Sequence, residues 1–360
     1  LRCPNIAKRK RMFFAIRDPL AVLPQASADH TEPPSRGVYE EFLLEMVNGG
    51  LGVFLHEFPV LARALVQRVE QWLAFVCEFC ERLLSDWPLL THNFNTGEDP
   101  GLVTTVRPGL SDRHNSGRSV IILRFTGGME LIYKPRDIAT EATFFALLEW
   151  FNIRGAPCTH KVLKVVNRGT HGWVERAKHA PCDGHAAAKR YYYRAGGMLS
   201  AIYAVAGTDC HCENLISAGE FPVLVDMETL FHPRAQRGSP DNCQSVDAHA
   251  ESLMDDSVFG TGLLPVWETG RNGKSFDISG FGAVEDQLTG VPVQTWEHIN
   301  SDRMVLAFRE GVNCSQENCP FLEDGTRIGP AAFVEDMAAG FADTYQFLLA
   351  NRDDLLREAG

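Results

Sequence analysis

The chain has 360 residues, of which 45% are hydrophobic and 22% are charged, and its formal net charge at pH 7 is −12. This length and composition suffice for one large core or two modest ones and argue against wholesale disorder. The acidic balance argues against nucleic acid or an anionic membrane surface as a partner.

Cysteine usage and hydropathy bear on the cellular compartment. The ten cysteines are spread along the chain without a dense, regular framework, so we interpret them as reduced thiols of a cytoplasmic protein. No apolar run reaches the roughly 18 residues that a membrane span needs. An apolar stretch after the basic run that ends at Arg11 is interrupted by Arg17 and Asp18, which argues against a secretory signal. Because the chain begins with Leu1, we expect it to be a fragment.

The sequence predicts three regions. Residues 1–37 are rich in proline and polar residues and are expected to form a loose leader. Residues 38–105 are predicted to be a helical region. Residues 106–360 alternate between strand-like and helix-like patterns, which predicts one domain of the α+β class.

Helical periodicity is clearest in the second region. Apolar residues recur at three- and four-residue steps over positions 60–79, which predicts a helix with a buried stripe. Pro59 suits the first turn of this helix. Cys77 and Cys80 lie inside the pattern, and we expect them to pack in the core rather than bind a metal ion.

The third region begins with a hairpin signal. Residues 91–117 resemble a loop, and then Val120–Phe125 and Leu131–Tyr133 flank a Gly127-Gly128 turn. Further helices are predicted over residues 138–151, 186–206 and 331–356, and short strands over residues 162–166, 173–175 and 221–225.

Four polar residues follow the chain order that kinases use for phosphoryl transfer. Such chemistry needs a cation on the phosphates, a carboxylate near the attacking hydroxyl and ligands for a metal ion. Lys134 ends the second strand of the hairpin, Asp209 precedes Asn214 by five residues, and Asp226 follows a further apolar strand. Glu228 lies two residues beyond and, in an extended segment, faces the same way.

The partner of Lys134 is left open by the sequence. The predicted helix after it contains Glu141 and Glu149, and either could pair with the lysine. A G-x-G-x-x-G loop is absent, so the phosphates of a nucleotide must be covered differently.

Zinc chemistry is an alternative use of the same loop. His211-Cys212-Glu213 matches the H-x-E half of the zinc deaminase signature, but the P-C-x-x-C half is missing downstream. Cys210, His211 and Cys212 are too close together to serve jointly as a tetrahedral site. We therefore favour phosphoryl transfer.

Several motifs together resemble the dehydratase domain of class II (LanM-type) lanthipeptide synthetases, from about residue 40 to residue 350. The most specific are Gly207–Ile216, which is similar to the GTDxHxEN signature, and Asp226–Phe231, which is similar to DxETLF. The other matches are Tyr133–Arg136 (YKPR), Ser111–His114 with Gly117–Val120 (DxH…GRSV), Glu57–Arg63, Gly172–Glu175, Tyr193–Gly196, Thr261–Pro265 and Asn318–Leu322.

This resemblance implies a kinase-like (lipid-kinase-like) catalytic core that uses ATP and Mg²⁺. Members phosphorylate Ser and Thr of a leader-bearing precursor peptide and then eliminate phosphate to give dehydroalanine and dehydrobutyrine. By position, Lys134 would contact the phosphates, Asp209 would orient or deprotonate the hydroxyl, and His211 would support that loop. Asn214 and Asp226 would bind Mg²⁺, with Glu228 assisting. Asp112 and His114 match positions near the nucleotide.

Two elements of the family have no counterpart in this sequence. Elimination in the family depends on an Arg and a Thr in a strand that would lie beyond Gly360. The zinc-binding cyclase domain, where zinc is expected, would also follow. An inactive fragment that binds precursor peptide without turnover is therefore the alternative function.

Overall fold

The computed structural model describes residues 34–109, 116–231, 253–269, 273–283, 286–313 and 317–358. In chain order its helices and strands are α1 (Gly37–Glu45), α2 (Leu51–Glu57), α3 (Pro59–Phe94), β1 (Val103–Pro108), β2 (Ile121–Phe125), β3 (Glu130–Lys134), α4 (Ala139–Ile153), β4 (Val165–Asn167), β5 (Gly172–Glu175), α5 (Gly184–Ala204), β6 (Leu215–Ala218), β7 (Phe221–Leu224), β8 (Trp267–Thr269), β9 (Ser275–Asp277), β10 (Gln287–Glu297), β11 (Val305–Asn313), α6 (Val334–Ala350) and α7 (Arg352–Glu358).

The chain forms two compact units. The first comprises Leu1–Gln67, Thr269–Lys274 and Leu288–Val312, and the second comprises Arg68–Glu268, Ser275–Gln287 and Asn313–Gly360. In the first unit, α1 is hydrogen-bonded to the turn between β10 and β11. Tyr39 donates its hydroxyl to Asn300 Oδ1 at 2.7 Å and its backbone amide to Asp302 Oδ1 at 2.7 Å.

An antiparallel sheet of order β1-β2-β3-β5-β4 organises the first part of the second unit. The predicted hairpin is confirmed as β2 and β3, with Leu123 opposite Leu131, and Gly128 takes a φ of 82° that favours glycine. Alternate residues of β2 are buried, as expected for a strand with one covered face.

Helix α3 packs on this sheet through aromatic side chains. Phe79 lies 5.2 Å from the Tyr133 ring, which in turn lies 4.9 Å from the Trp173 ring. Asp86 is buried on the same helix and accepts hydrogen bonds from His171 Nε2 at 2.7 Å and Trp173 Nε1 at 2.8 Å. Because a buried carboxylate needs such partners, this contact fixes the helix to the sheet.

The larger core lies around α5, which is buried along most of its length. Helices α5 and α6 approach each other backbone to backbone at two glycines. A Cβ atom on Gly196 would lie 1.9 Å from the Met337 carbonyl oxygen, and one on Gly340 would lie 1.9 Å from the Tyr193 carbonyl oxygen. Only glycine permits this separation of the two helices.

Most predicted helices and strands of the second unit are confirmed to within a few residues. Four features differ. The stripe predicted over positions 60–79 is buried only at its C-terminal end, at Phe75 and Phe79, whereas Val69, Trp72 and Leu73 are exposed. Residues 103–108, predicted as loop, form β1, whose residues are all exposed and so lack the alternation that predicts a strand. Cys77 and Cys80 are exposed rather than in the core, because α3 buries the opposite face that carries Phe75 and Phe79. The predicted C-terminal helix is divided into α6 and α7 at Asn351.

No single helix within the described ranges is long and apolar enough to cross a bilayer. Residues Gly37–Glu57 together with Pro59–Phe94 meet the same criteria only as a sharply bent pair.

A buried histidine in the larger core predicts sensitivity to acid. His160 is 5% exposed, its Nδ1 atom has no hydrogen-bond partner among the described residues, and its Nε2 atom lies 3.5 Å from Cys158 Sγ. Burial, helped by the charge of Arg194, lowers the pKa of His160 to about 4. The folded chain therefore binds fewer protons than the unfolded chain between pH 6.5 and 4.

We expect the free energy of unfolding to fall by roughly 3 kcal/mol through this group as the pH drops from about 6.5 to about 4, since one pKa unit is worth about 1.4 kcal/mol. Denaturant unfolding of wild type and His160→Phe at several pH values measures it. The variant should have a shallower pH dependence in this window, because the other histidines contribute equally to both proteins. Parallel pH profiles would contradict the prediction.

Candidate active site

Lys134 lies at the end of β3 and is held by two acceptors. Its Nζ atom donates to Glu141 Oε1 at 3.1 Å and to the Val225 carbonyl oxygen at 2.8 Å. Strand β3 buries this residue between the sheet and the following helix, so only 6% of the Lys134 side chain is exposed. The ammonium group is therefore fixed at one point, against the segment that carries Asp226.

The structure resolves which helix glutamate pairs with the lysine. Glu141 lies in the first turn of α4 and is 1% exposed, whereas Glu149 is exposed on the same helix. Burial alone would raise the pKa of Glu141, but the charges of Lys134 and Arg136 outweigh it and hold that pKa below its ordinary value. Glu141 is therefore an ionised partner shared by two cations.

Arg136 is a residue of this site that the residue-by-residue reasoning missed, although it belongs to the YKPR match. Its NH2 atom lies 2.7 Å from Glu141 Oε1 and 3.2 Å from Asp226 Oδ1, and its Nε atom lies 2.7 Å from Glu228 Oε1. Strand β3 ends at Lys134 and residues 135–136 form a bend, so the YKPR match was the only signal in the sequence that pointed to Arg136.

The loop between α5 and β6 carries Asp209 in a backbone conformation that is uncommon for a residue other than glycine. Its φ is 61°, and its side chain is 62% exposed. The following residue, Cys210, donates its amide to the Thr261 carbonyl oxygen at 2.9 Å, and Thr229 donates its hydroxyl to the carbonyl oxygen of Thr208. Contacts from distant parts of the chain therefore hold the loop in this conformation, which is typical of functional sites.

His211 and Asn214 stabilise the loop through contacts with other residues of the same loop. The Glu213 amide donates to His211 Nδ1 at 3.3 Å, and His211 Nε2 lies 3.8 Å from Asp209 Oδ1. Asn214 Nδ2 donates to the Asp209 carbonyl oxygen at 2.9 Å and lies 3.2 Å from His211 Nε2. The side-chain amide nitrogen of Asn214 therefore stabilises the loop.

The β6–β7 hairpin brings Asn214 beside Asp226. Asn214 directly precedes β6, and Val225 directly follows β7 and donates its amide to the Asn214 carbonyl oxygen at 2.9 Å. The carbonyl oxygen of Val225 accepts from Lys134. Val225 therefore links Lys134 and Asn214 by hydrogen bonds and is followed directly by Asp226, so three of the predicted residues lie together. The carbonyl oxygen of Asp209 joins them through its hydrogen bond from the Asn214 side chain.

The donor set suits a hard divalent cation. Asn214 and Asp226 offer an amide oxygen and a carboxylate, the ligands that Mg²⁺ accepts together with water and substrate phosphates. In the part of the chain that the structure describes, no three His, Cys, Asp or Glu side chains are grouped so as to hold a metal ion by themselves. These two residues fit a cation that arrives with phosphate ligands better than one held by protein alone.

The cysteines of the loop are packed beneath it. Cys210 and Cys212 are buried, and burial together with the nearby Asp209 and Asp226 carboxylates raises the pKa of Cys210 to about 12. These two thiols therefore pack as small apolar side chains beneath the loop. Asp112 and His114, predicted near a nucleotide, lie outside the described residues.

Comparison with known proteins gives two findings. The profile of the domain of unknown function DUF4135 matches residues 58–360. The chain is also 28% identical over 316 residues to the lacticin 481/lactococcin biosynthesis protein LcnDR2 of Lactococcus lactis subsp. lactis, a match that covers 83% of this chain and 33% of that protein. The chain thus spans about one third of the length of this relative. Both findings confirm the predicted resemblance to lanthipeptide synthetases.

Proposed function

Since this chain belongs to the DUF4135 family, with residues 58–360 matched, we propose that it is an ATP-dependent kinase for Ser and Thr of a precursor peptide in lanthipeptide biosynthesis. The observation that carries the proposal is the arrangement around Val225, where Lys134 and Asn214 are hydrogen-bonded to one residue and Asp226 follows it. Similarity to a lacticin 481 biosynthesis protein supports the pathway.

A kinase-like core accounts for the ion pair of the site. In kinases a strand lysine pairs with a glutamate of the next helix and thereby holds its ammonium group at the phosphates. Lys134 on β3 and Glu141 on α4 have this relation, at 3.1 Å. The sheet β1-β2-β3-β5-β4 supplies the strand, and its antiparallel order is compatible with such a core.

The remaining residues divide the chemistry between them. Asp209 accepts the proton of the substrate hydroxyl or orients that hydroxyl for attack on the terminal phosphoryl group. Asn214 and Asp226 would hold Mg²⁺, with the Glu228 carboxylate assisting, and the metal ion would neutralise charge on the phosphates. His211 positions the loop by its contacts with Glu213 and Asp209.

The whole protein would then eliminate phosphate from the modified residue, leaving dehydroalanine or dehydrobutyrine. We assign its substrate as a leader-bearing peptide and its location as the cytoplasm. These steps and partners come from the resemblance to the family, and they extend the kinase proposal rather than rest on the geometry of the described residues.

Mass spectrometry of the precursor peptide tests the proposal. With ATP and Mg²⁺ the peptide should gain about 80 Da for each phosphorylated residue, and about 18 Da should be lost for each residue that completes elimination. A peptide that binds to the chain but acquires neither change, while the chain binds ATP, would favour the inactive binding module. A chain that binds no nucleotide would contradict the proposed function.

A further inference from the structure

Arg136 is engaged on all three of its guanidinium nitrogens. NH1 donates to the Asp137 carbonyl oxygen at 3.2 Å and to Glu141 Oε2 at 3.4 Å. NH2 binds Glu141 and Asp226, and Nε binds Glu228. Arg136 thus joins the carboxylate of Glu141 on α4 to those of Asp226 and Glu228, which lie after β7.

The two cations of this cluster differ in their freedom to move. Lys134 and Arg136 together oppose three carboxylates, so the cluster carries one excess negative charge. The Lys134 side chain is 6% exposed and also bound to a backbone carbonyl, whereas the Arg136 side chain is 26% exposed. Asp226 and Glu228 are more exposed still, at 42% and 51%. The guanidinium is therefore the cation on the solvent side.

Arg136 competes with a divalent cation for the same oxygens. It occupies Asp226 Oδ1 and Glu228 Oε1, the carboxylates assigned to Mg²⁺ above. A divalent cation that arrives without nucleotide must displace the Arg136 guanidinium from both carboxylates, and the guanidinium then loses two of its hydrogen-bond acceptors. A nucleotide triphosphate removes this obstacle, because its phosphate oxygens accept the planar, multidentate hydrogen bonds that arginine makes.

We propose that Arg136 closes the site to a bare divalent cation and moves from the carboxylates of Asp226 and Glu228 to nucleotide phosphate when the metal–nucleotide complex binds. The inference rests on the proposed function and adds an ordered, nucleotide-dependent entry of the metal. It makes Arg136 a phosphate-binding residue in the loaded state, while Lys134 keeps its contact with Glu141.

The experiment measures Mn²⁺ binding by electron paramagnetic resonance, without nucleotide and then with a non-hydrolysable ATP analogue. Arg136→Gln should bind Mn²⁺ alone about tenfold more tightly than wild type, because one charged competitor is gone. It should bind the analogue with Mg²⁺ about tenfold more weakly. Arg154→Gln, which removes a partly exposed arginine of the same unit at the end of α4, should change neither affinity.

Arg136→Lys keeps the charge but lacks the planar fork with which Arg136 contacts Glu141, Asp226 and Glu228 at once, so its Mn²⁺ affinity should lie between those of wild type and Arg136→Gln. If Arg136→Gln does not fold, the Mn²⁺ affinity of Arg136→Lys still tests the proposal. If wild type binds the nucleotide but the folded variants bind Mn²⁺ no more tightly than wild type, the role proposed for Arg136 is wrong and the proposed function still stands. A wild-type chain that binds no nucleotide would overturn the proposed function and, with it, the transfer to phosphate.

Discussion

Replacing Asp209 by asparagine is expected to slow phosphoryl transfer to the precursor peptide by about 10³-fold, within the 10²- to 10⁴-fold range of a positioned general base. The change removes the charge and keeps the shape of the side chain. Asparagine tolerates the φ of 61° that the loop imposes here. The carboxylate is mostly exposed, so the variant should fold like wild type.

Initial rates of phosphopeptide formation, followed by mass spectrometry, measure the effect. Asp183→Asn is a matched control, since Asp183 is an exposed aspartate next to the first turn of α5 and makes no side-chain capping hydrogen bond. Its rate should equal that of wild type. If Asp209→Asn retains more than about a tenth of the wild-type rate, a group other than Asp209 accepts or orients the substrate proton.

The sequence predicted Lys134 but left its partner open for a physical reason. Glu141 and Glu149 lie on one helix, eight residues apart, so they are separated by about 12 Å along the axis and point in different directions. Helical periodicity shows which side is apolar, but an acidic residue can lie on the buried side if it has partners. Only the packing of α4 against β3 shows that Glu141 is the buried one.

Other parts of the site depend on contacts that no local pattern predicts. The loop that carries Asp209 is held by Thr261 and, through Cys212, by the Ile278 carbonyl oxygen, residues more than fifty positions further along the chain. Arg136 lies in a bend just beyond the end of β3, so strand periodicity could not predict where its side chain points. Strand β1 was missed because all its residues are exposed, so its sequence has no alternation to detect.

Removal of the Glu141 side chain should cause the largest loss of stability among changes at the site. In Glu141→Ala, Lys134 loses its buried partner and Arg136 loses one of its two 2.7 Å contacts. Breaking a buried ion pair by removing one member costs about 3 to 5 kcal/mol, because the remaining charge stays desolvated. Lys134 is the residue that carries this cost, because its side chain is held between β3 and the Val225 carbonyl.

Denaturant unfolding at neutral pH measures this cost against Glu149→Ala, which removes an exposed glutamate from the same helix and should change the free energy of unfolding by less than about 0.5 kcal/mol.

The pH dependence of the stability difference shows whether the charge of Glu141 is responsible for it. Because the pKa of Glu141 is lowered below 4.5 in the folded chain, its stabilisation is fully present above pH 4.5 and is lost as the pH falls through the lowered value. The difference between wild type and Glu141→Ala should therefore narrow in acid, whereas a difference that stays constant with pH would mean that the side chain acts through packing rather than through its charge.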